Sequence, residues 1–254
     1  MRSSNLHRQI AFWSALASAV ALCNLLGMTD EVGQPSSEAL LLPKVAAGEA
    51  ISWHAQIINS AGRTVSYDVL CKVEEPSGGA GGYQLEPTVT MHSPSGPPQV
   101  KTIFVLRNGR AYDLKGAPLD NDPICQFYYT QMFGQPPQTL RVGSSWQFSD
   151  EGTSGGPMGP NAHGSAKVVS IDPNGQIHLD ITFAAAGFIP GKVTNEGGTL
   201  EPSQIQVTRS GTIDLWIKSG GIITERKDRL RNVSNVKGVE NSYDETAYFT
   251  LNHS

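Results

Sequence analysis

Cysteine is nearly absent, three residues in 254, and no C-x-x-C pair occurs, so neither a thioredoxin-type redox motif nor a thiolate zinc site is encoded. H-E-x-x-H, G-x-S-x-G and EF-hand spacings are also missing, which removes the usual signatures of zinc proteases, α/β hydrolases and calcium loops. There is no basic surplus. The formal net charge is −4, and a nucleic-acid partner is excluded because phosphate binding needs a cationic surface. Charged residues make up 17% and aromatics 7%, too few charges for a chain of long solvated helices. Glycine and proline, 27 and 16 residues, are plentiful and suit an all-β chain with many reversals.

The one long apolar run lies near the start. Arg2, His7 and Arg8 precede residues 10–28, IAFWSALASAVALCNLLGM, the pattern of an export signal. Its length sits between a cleaved signal peptide and an uncleaved anchor, and small residues at Ala17, Ala19 and Ala21 favour cleavage. A lipid anchor on Cys23 is disfavoured because Leu22 precedes it where a small residue is needed. Asp30 and Glu31 follow the run, so the rest of the chain is expected outside the membrane, periplasmic or extracellular. The only membrane contact expected is this segment, if it stays. Losing Arg2 and Arg8 with it takes the net charge from −4 down by two, to −6. In an oxidising compartment Cys71 and Cys125 are expected to form a disulfide, the alternative being that Cys71 is a buried apolar residue of its strand.

After a linker at residues 29–48, a single antiparallel β domain is expected over 49–252. Ile51, Trp53, Ala55 and Ile57 alternate with Ser52, His54 and Gln56, and the turn Ser60–Arg63 leads into Val65, Tyr67, Val69, Cys71 and Val73. Together these read as a hairpin. Similar alternation recurs to the end of the chain, where Tyr243, Glu245, Ala247, Phe249 and Leu251 share a face. About ten strands are expected, joined as a meander that curves into a sheet, a partly open barrel or a clam. Residues 203–233 read as three strands, with reversals at Arg209–Gly211 and Ser219–Gly221. Their charged stretch Glu225–Arg229 reads as a solvated edge or strand end. Residues 184–202 read as a long loop carrying Phe188. One short helix is expected near 122–133, introduced by Asn121-Asp122-Pro123 and running from Ile124 to Phe133.

Candidate sites are few. Gly152-Thr153-Ser154-Gly155-Gly156-Pro157 resembles the segment around the nucleophile of trypsin-like serine proteases. The resemblance covers six residues and implies Ser154 as nucleophile, with His54 or His92 as base and Asp113 between them in chain order. Neither histidine stands in that family's small-residue context, and Met158-Gly159-Pro160 replaces the bracing apolar strand, so a glycine-rich loop is the preferred reading. The mature histidines are dispersed, and His54 and His178 fall on polar strand faces; no metal cluster and no cofactor is read from them. The expected role is a non-enzymatic exported scaffold that takes an apolar or amphipathic ligand, or an envelope partner, in the concavity of its sheet. Trp146, Phe148, Phe188 and Phe249 are expected at that groove. A structural protein with a filled interior and a secreted serine hydrolase are the alternatives.

Overall fold

The computed structural model describes residues 41, 43–75, 82–101, 103–107, 110–117, 119, 124–128, 135–150, 158–194, 200–236 and 238–252. The expected export signal, most of the expected linker and Ser154 lie outside them. Twelve strands form one antiparallel sheet that does not close into a barrel. They are β1 Ala50–Asn59, β2 Thr64–Glu74, β3 Tyr83–Ser93, β4 Gln99–Val100, β5 Phe104–Arg107, β6 Arg110–Asp113, β7 Ser145–Asp150, β8 Ala162–Ile171, β9 Ile177–Thr194, β10 Leu200–Lys218, β11 Ile222–Val236 and β12 Val239–Asn252. Spatially the order is β6-β5-β3-β2-β1-β12-β11-β10-β9-β8-β7, with β4 beside β3. Two meanders therefore meet where the first strand pairs with the last.

That arrangement puts β6 and β7 at opposite edges, although they are consecutive in sequence. The described residues of the connection between them include a segment packed on the inner face. Phe127 and Tyr128 stack on Trp53 at 5.0 and 5.2 Å, and Tyr128 makes a bridge with Ile222 at the start of β11. The Trp53 indole N–H donates to the Ile223 carbonyl at 2.8 Å, tying β1 to β11 across β12. Further along, Leu140 enters the apolar cluster of the other meander.

The inner face carries two large apolar clusters. One gathers residues of β1, β2, β3, β5, β6 and β12 with Phe127, Tyr128 and Ile222; the other gathers residues of β7–β11. Each follows from period-two alternation, since every second side chain along a strand points the same way. A curved sheet also needs room on its concave side. Phe148 lies across Gly164, where a Cβ would stand 2.5 Å from its ring, so a small residue accommodates a large cross-strand neighbour.

Four expectations are corrected. The helix from Ile124 is a single 3-10 turn, Cys125–Phe127, ended by Tyr128 in extended conformation; residues 121–123 and 129–133 lie outside the described set. Arg209–Gly211 is no reversal but the middle of β10, fully paired with β9 and β11. The supposed loop at 184–202 includes the end of β9 and the start of β10, whose backbone ladder runs from Leu200↔Thr194 onward. Alanine and glycine there gave no apolar alternation to read. Finally, β11 is central, between β12 and β10, rather than an edge.

Candidate functional site

Cross-strand registers arrange the inward side chains as rungs. Tyr67, Ala55, Phe249, Arg226 and Leu215 form one; Val65, Ile57, Ala247, Asp228 and Ile213 form the next. A third holds Glu245, Leu230 and Gly211, and a fourth Tyr243, Asn232 and Arg209. Each rung thus places at least one polar side chain on β10–β12: Arg226, Asp228, Glu245, and Arg209 with Asn232. Arg209, Arg226, Asp228, Asn232, Ser234 and Glu245 are all buried. They form a charged seam along the inner face.

The seam is internally paired. Arg226 and Asp228, two residues apart and so on one face of β11, make a two-pronged contact: Nε donates to Oδ1 at 2.7 Å and Nη2 to Oδ2 at 2.5 Å. Such forked pairing is the strongest guanidinium–carboxylate geometry. The Arg226 guanidinium also lies 4.9 Å over the Phe249 ring, a cation–π contact. Arg209 donates to Glu245 Oε1 at 3.3 Å. Burial pushes the Glu245 carboxyl up to about 7, with Arg209 pulling down and Asp228 adding to the rise. Burial also lowers Arg209 below the ordinary guanidinium range, against the pull of Glu245. Burial thus opposes the charged form of both partners, upward for the carboxyl and downward for the guanidinium.

Two polar groups in this region lack a hydrogen-bond partner among the described residues, the Tyr67 hydroxyl and the Asn232 side-chain amide. Small Ala55 and Ala247 let the Tyr67 ring reach toward Arg226, Asp228 and Glu245, whose charges it feels. Burial raises its hydroxyl well above the ordinary phenol value. An unmade hydrogen bond on a buried donor costs roughly 1–3 kcal/mol. Beyond the seam, Ile205 and Val236 form a small third cluster with Ile189 and Val207 against it.

The four aromatics expected at a groove are not brought together. Trp146 is buried, with Phe148 packed against it, in the β7–β11 cluster, whereas Phe249 belongs to the other cluster and touches Arg226. Phe188 is 58% exposed on the outer side of β9. Asp113 sits on edge strand β6 with its carboxylate accepting from the Lys115 and Ala117 backbone N–H groups, an ordinary turn role. His54 lies on the outer face, and its carboxylate partner is Asp68, not Asp113. The Cys71–Cys125 bridge is not formed here. Both thiols are buried in the β1–β6 cluster, the Tyr128 hydroxyl stands near both, and burial pushes the Cys71 thiol up to about 12.

The seam escaped the sequence because Glu225–Arg229 is an unbroken run of charges of mixed sign, which reads as a solvated face. Strict period-two reading of β11 would have found it: Arg226 and Asp228 share a face with Leu230, and Glu225, Lys227 and Arg229 take the other.

No family model and no curated protein sequence matches the chain. Among solved structures it is similar to a Bacteroides fragilis protein proposed to be exported and described as having a YmcC-like fold. The two are 11% identical over 85% of this chain and 100% of that one, with a TM-score of 0.28. A likeness of that size carries no argument about what this chain does, and the site stands on its own geometry.

Proposed function

We propose that the chain is an exported, non-enzymatic β scaffold whose inner face receives an amphipathic ligand, the ligand's polar group at the charged seam. The single observation behind this reading is the buried seam itself, with the Tyr67 hydroxyl and the Asn232 amide left without partners between two apolar clusters. A ligand offering acceptor atoms satisfies both donors, the Tyr67 hydroxyl and the Asn232 amide nitrogen. Its apolar portion has the third cluster, Ile205, Val236, Ile189 and Val207, to lie along. Export rests on the leader at residues 10–28 and places the scaffold in the periplasm or outside the cell.

A filled structural scaffold is the second reading. It is favoured by the packing of Trp53, Phe104, Phe127, Tyr128 and Phe249, each at most 2% exposed. Native mass spectrometry of the protein purified from its own host's exported fraction separates the two. Extra mass that vanishes on denaturation supports the ligand reading, and a bare mass supports the filled scaffold. A denatured mass that begins at Met1 would overturn cleavage of the leader.

A further inference from the structure

On the opposite face of the sheet, three neighbouring strands bring together side chains that are distant in sequence. His54 on β1 pairs directly with Asp68 on β2, and its Nδ1 lies 2.8 Å from Asp68 Oδ1. His92 on β3 reaches the same carboxylate from the other side, Nε2 to Oδ2 at 2.7 Å. A bulge makes this possible. Tyr67 faces Met91 while Ser66 faces Ser93, so His92 is the extra residue of β3 at that point. Bulges commonly re-aim a side chain in this way. The two imidazoles stand 6.3 Å apart, tilted by 27°, one to each side of the carboxylate.

We propose that His54, Asp68 and His92 form a binding site for a divalent transition-metal ion of the zinc type. One donor atom from each residue lies within 4.8 Å of the other two. Around a tetrahedral ion with bonds of about 2.0–2.1 Å, ligand atoms sit roughly 3.3 Å apart. Closing from the present separations therefore takes side-chain rotation rather than strand movement. Two imidazoles and one carboxylate suit zinc, nickel or copper and not magnesium or calcium, which prefer all-oxygen shells.

The surroundings favour this use over an ordinary ion pair. The directly paired neighbours of the trio across the sheet are Thr250 beside His54 and Thr90 beside Asp68, both uncharged. Among the described residues, the side chains acting on the Asp68 carboxylate are those of His54 and His92. The three side chains are between 38% and 45% exposed, leaving the outward side open for water as a fourth ligand. The Asp68 carboxylate already lies within hydrogen-bond distance of both imidazoles, so the three side chains converge before any ion arrives. In the metal-free trio the imidazole nitrogens donate to Asp68; binding moves those protons to the outer ring nitrogens or to water and turns the lone pairs to the ion.

The test uses the full mature chain, free of any histidine tag and stripped with chelator. Cobalt(II) is titrated while visible absorption is recorded, and zinc is then added as competitor. The expected result is one equivalent of cobalt giving ligand-field absorption that zinc abolishes. His54→Gln, His92→Gln and Asp68→Asn should each weaken binding at least tenfold without moving the unfolding midpoint by more than a few degrees. His163→Gln, on β8, should bind as the parent does. Absence of cobalt absorption in the parent chain, or equal binding by the three variants, overturns the site.

Discussion

Strand β11 presents the same chemistry to two environments. On its inner side Arg226 and Asp228 are 1% and 2% exposed; on its outer side Arg231 pairs with Asp244 on β12 at 3.1 Å, with side chains 56% and 62% exposed. Outside, water already solvates both partners and the contact adds little. Inside, each ion has given up its hydration, and only the partner offsets that cost. Outward charges are therefore replaceable, whereas inward ones commit the fold to keeping them together. Hydrophobic residues of similar size usually fill such a position at no loss of stability. Four ionisable side chains, Arg209, Arg226, Asp228 and Glu245, are nevertheless kept on the inner face, which is the feature the proposed binding role would account for.

The sharpest way to break this comparison is to remove one partner from each pair. Asp228→Ala strands the Arg226 guanidinium and should cost about 3–5 kcal/mol in urea unfolding. Asp244→Ala should cost between about 0 and 1 kcal/mol in the same assay. Equal losses would mean that the seam is wetter than its burial indicates.

The second pair of the seam gives a pH signature of smaller size. Glu245 has its carboxyl raised by burial to about 7 in the folded chain, from 4.5. Between those values the folded state holds a proton that the unfolded state has released. The associated stability is complete below about pH 4.5 and is lost as pH rises through 7, an effect on the order of 3 kcal/mol. Glu245→Gln should flatten that part of the stability profile. An unchanged slope between pH 5 and 7.5 would contradict the assignment.

Packing around the seam offers a third, comparable test. Gly211 lies beneath Leu230, and a Cβ there would stand 2.2 Å from the Arg229 carbonyl oxygen and 2.9 Å from Leu230 Cδ2. Backbone cannot rotate away as a side chain can, so Gly211→Ala should destabilise by roughly 1–3 kcal/mol. Gly48, which has open space around its Cβ direction but a φ of 82°, should lose only about 1 kcal/mol on the same substitution, from strain alone. The smallest effect concerns the thiols. Cys71 and Cys125 should resist alkylation in the folded protein and react after denaturation, whereas a bridge would leave both unreactive until reduced.

Much of the fold was legible because alternation is local. The first hairpin is an example: turn Ser60–Arg63 fixes Ile58 opposite Thr64, and counting four residues outward on each strand puts His54 opposite Asp68. That half of the metal trio was readable in principle. His92 was not, since its place depends on a bulge whose position no residue pattern marks. The joining of β1 to β12 was equally hidden, because pairing of the chain's first and last strands leaves no trace in either. Small residues concealed the ends of β9 and β10: Ala184, Ala185, Ala186 and Gly187 hold a ladder through backbone alone. The seam was misread for a different reason. Charge was taken as a sign of solvent, while the strand's own period placed Arg226 and Asp228 inward beside Leu230.

The most direct test of the account is the unfolding free energy of the double substitution Arg226→Met with Asp228→Leu. If the buried pair is kept for binding rather than for stability, the double variant should match the parent or exceed it by about 1–4 kcal/mol. A loss of several kcal/mol would show that the seam holds the fold together, and would contradict its assignment as a site.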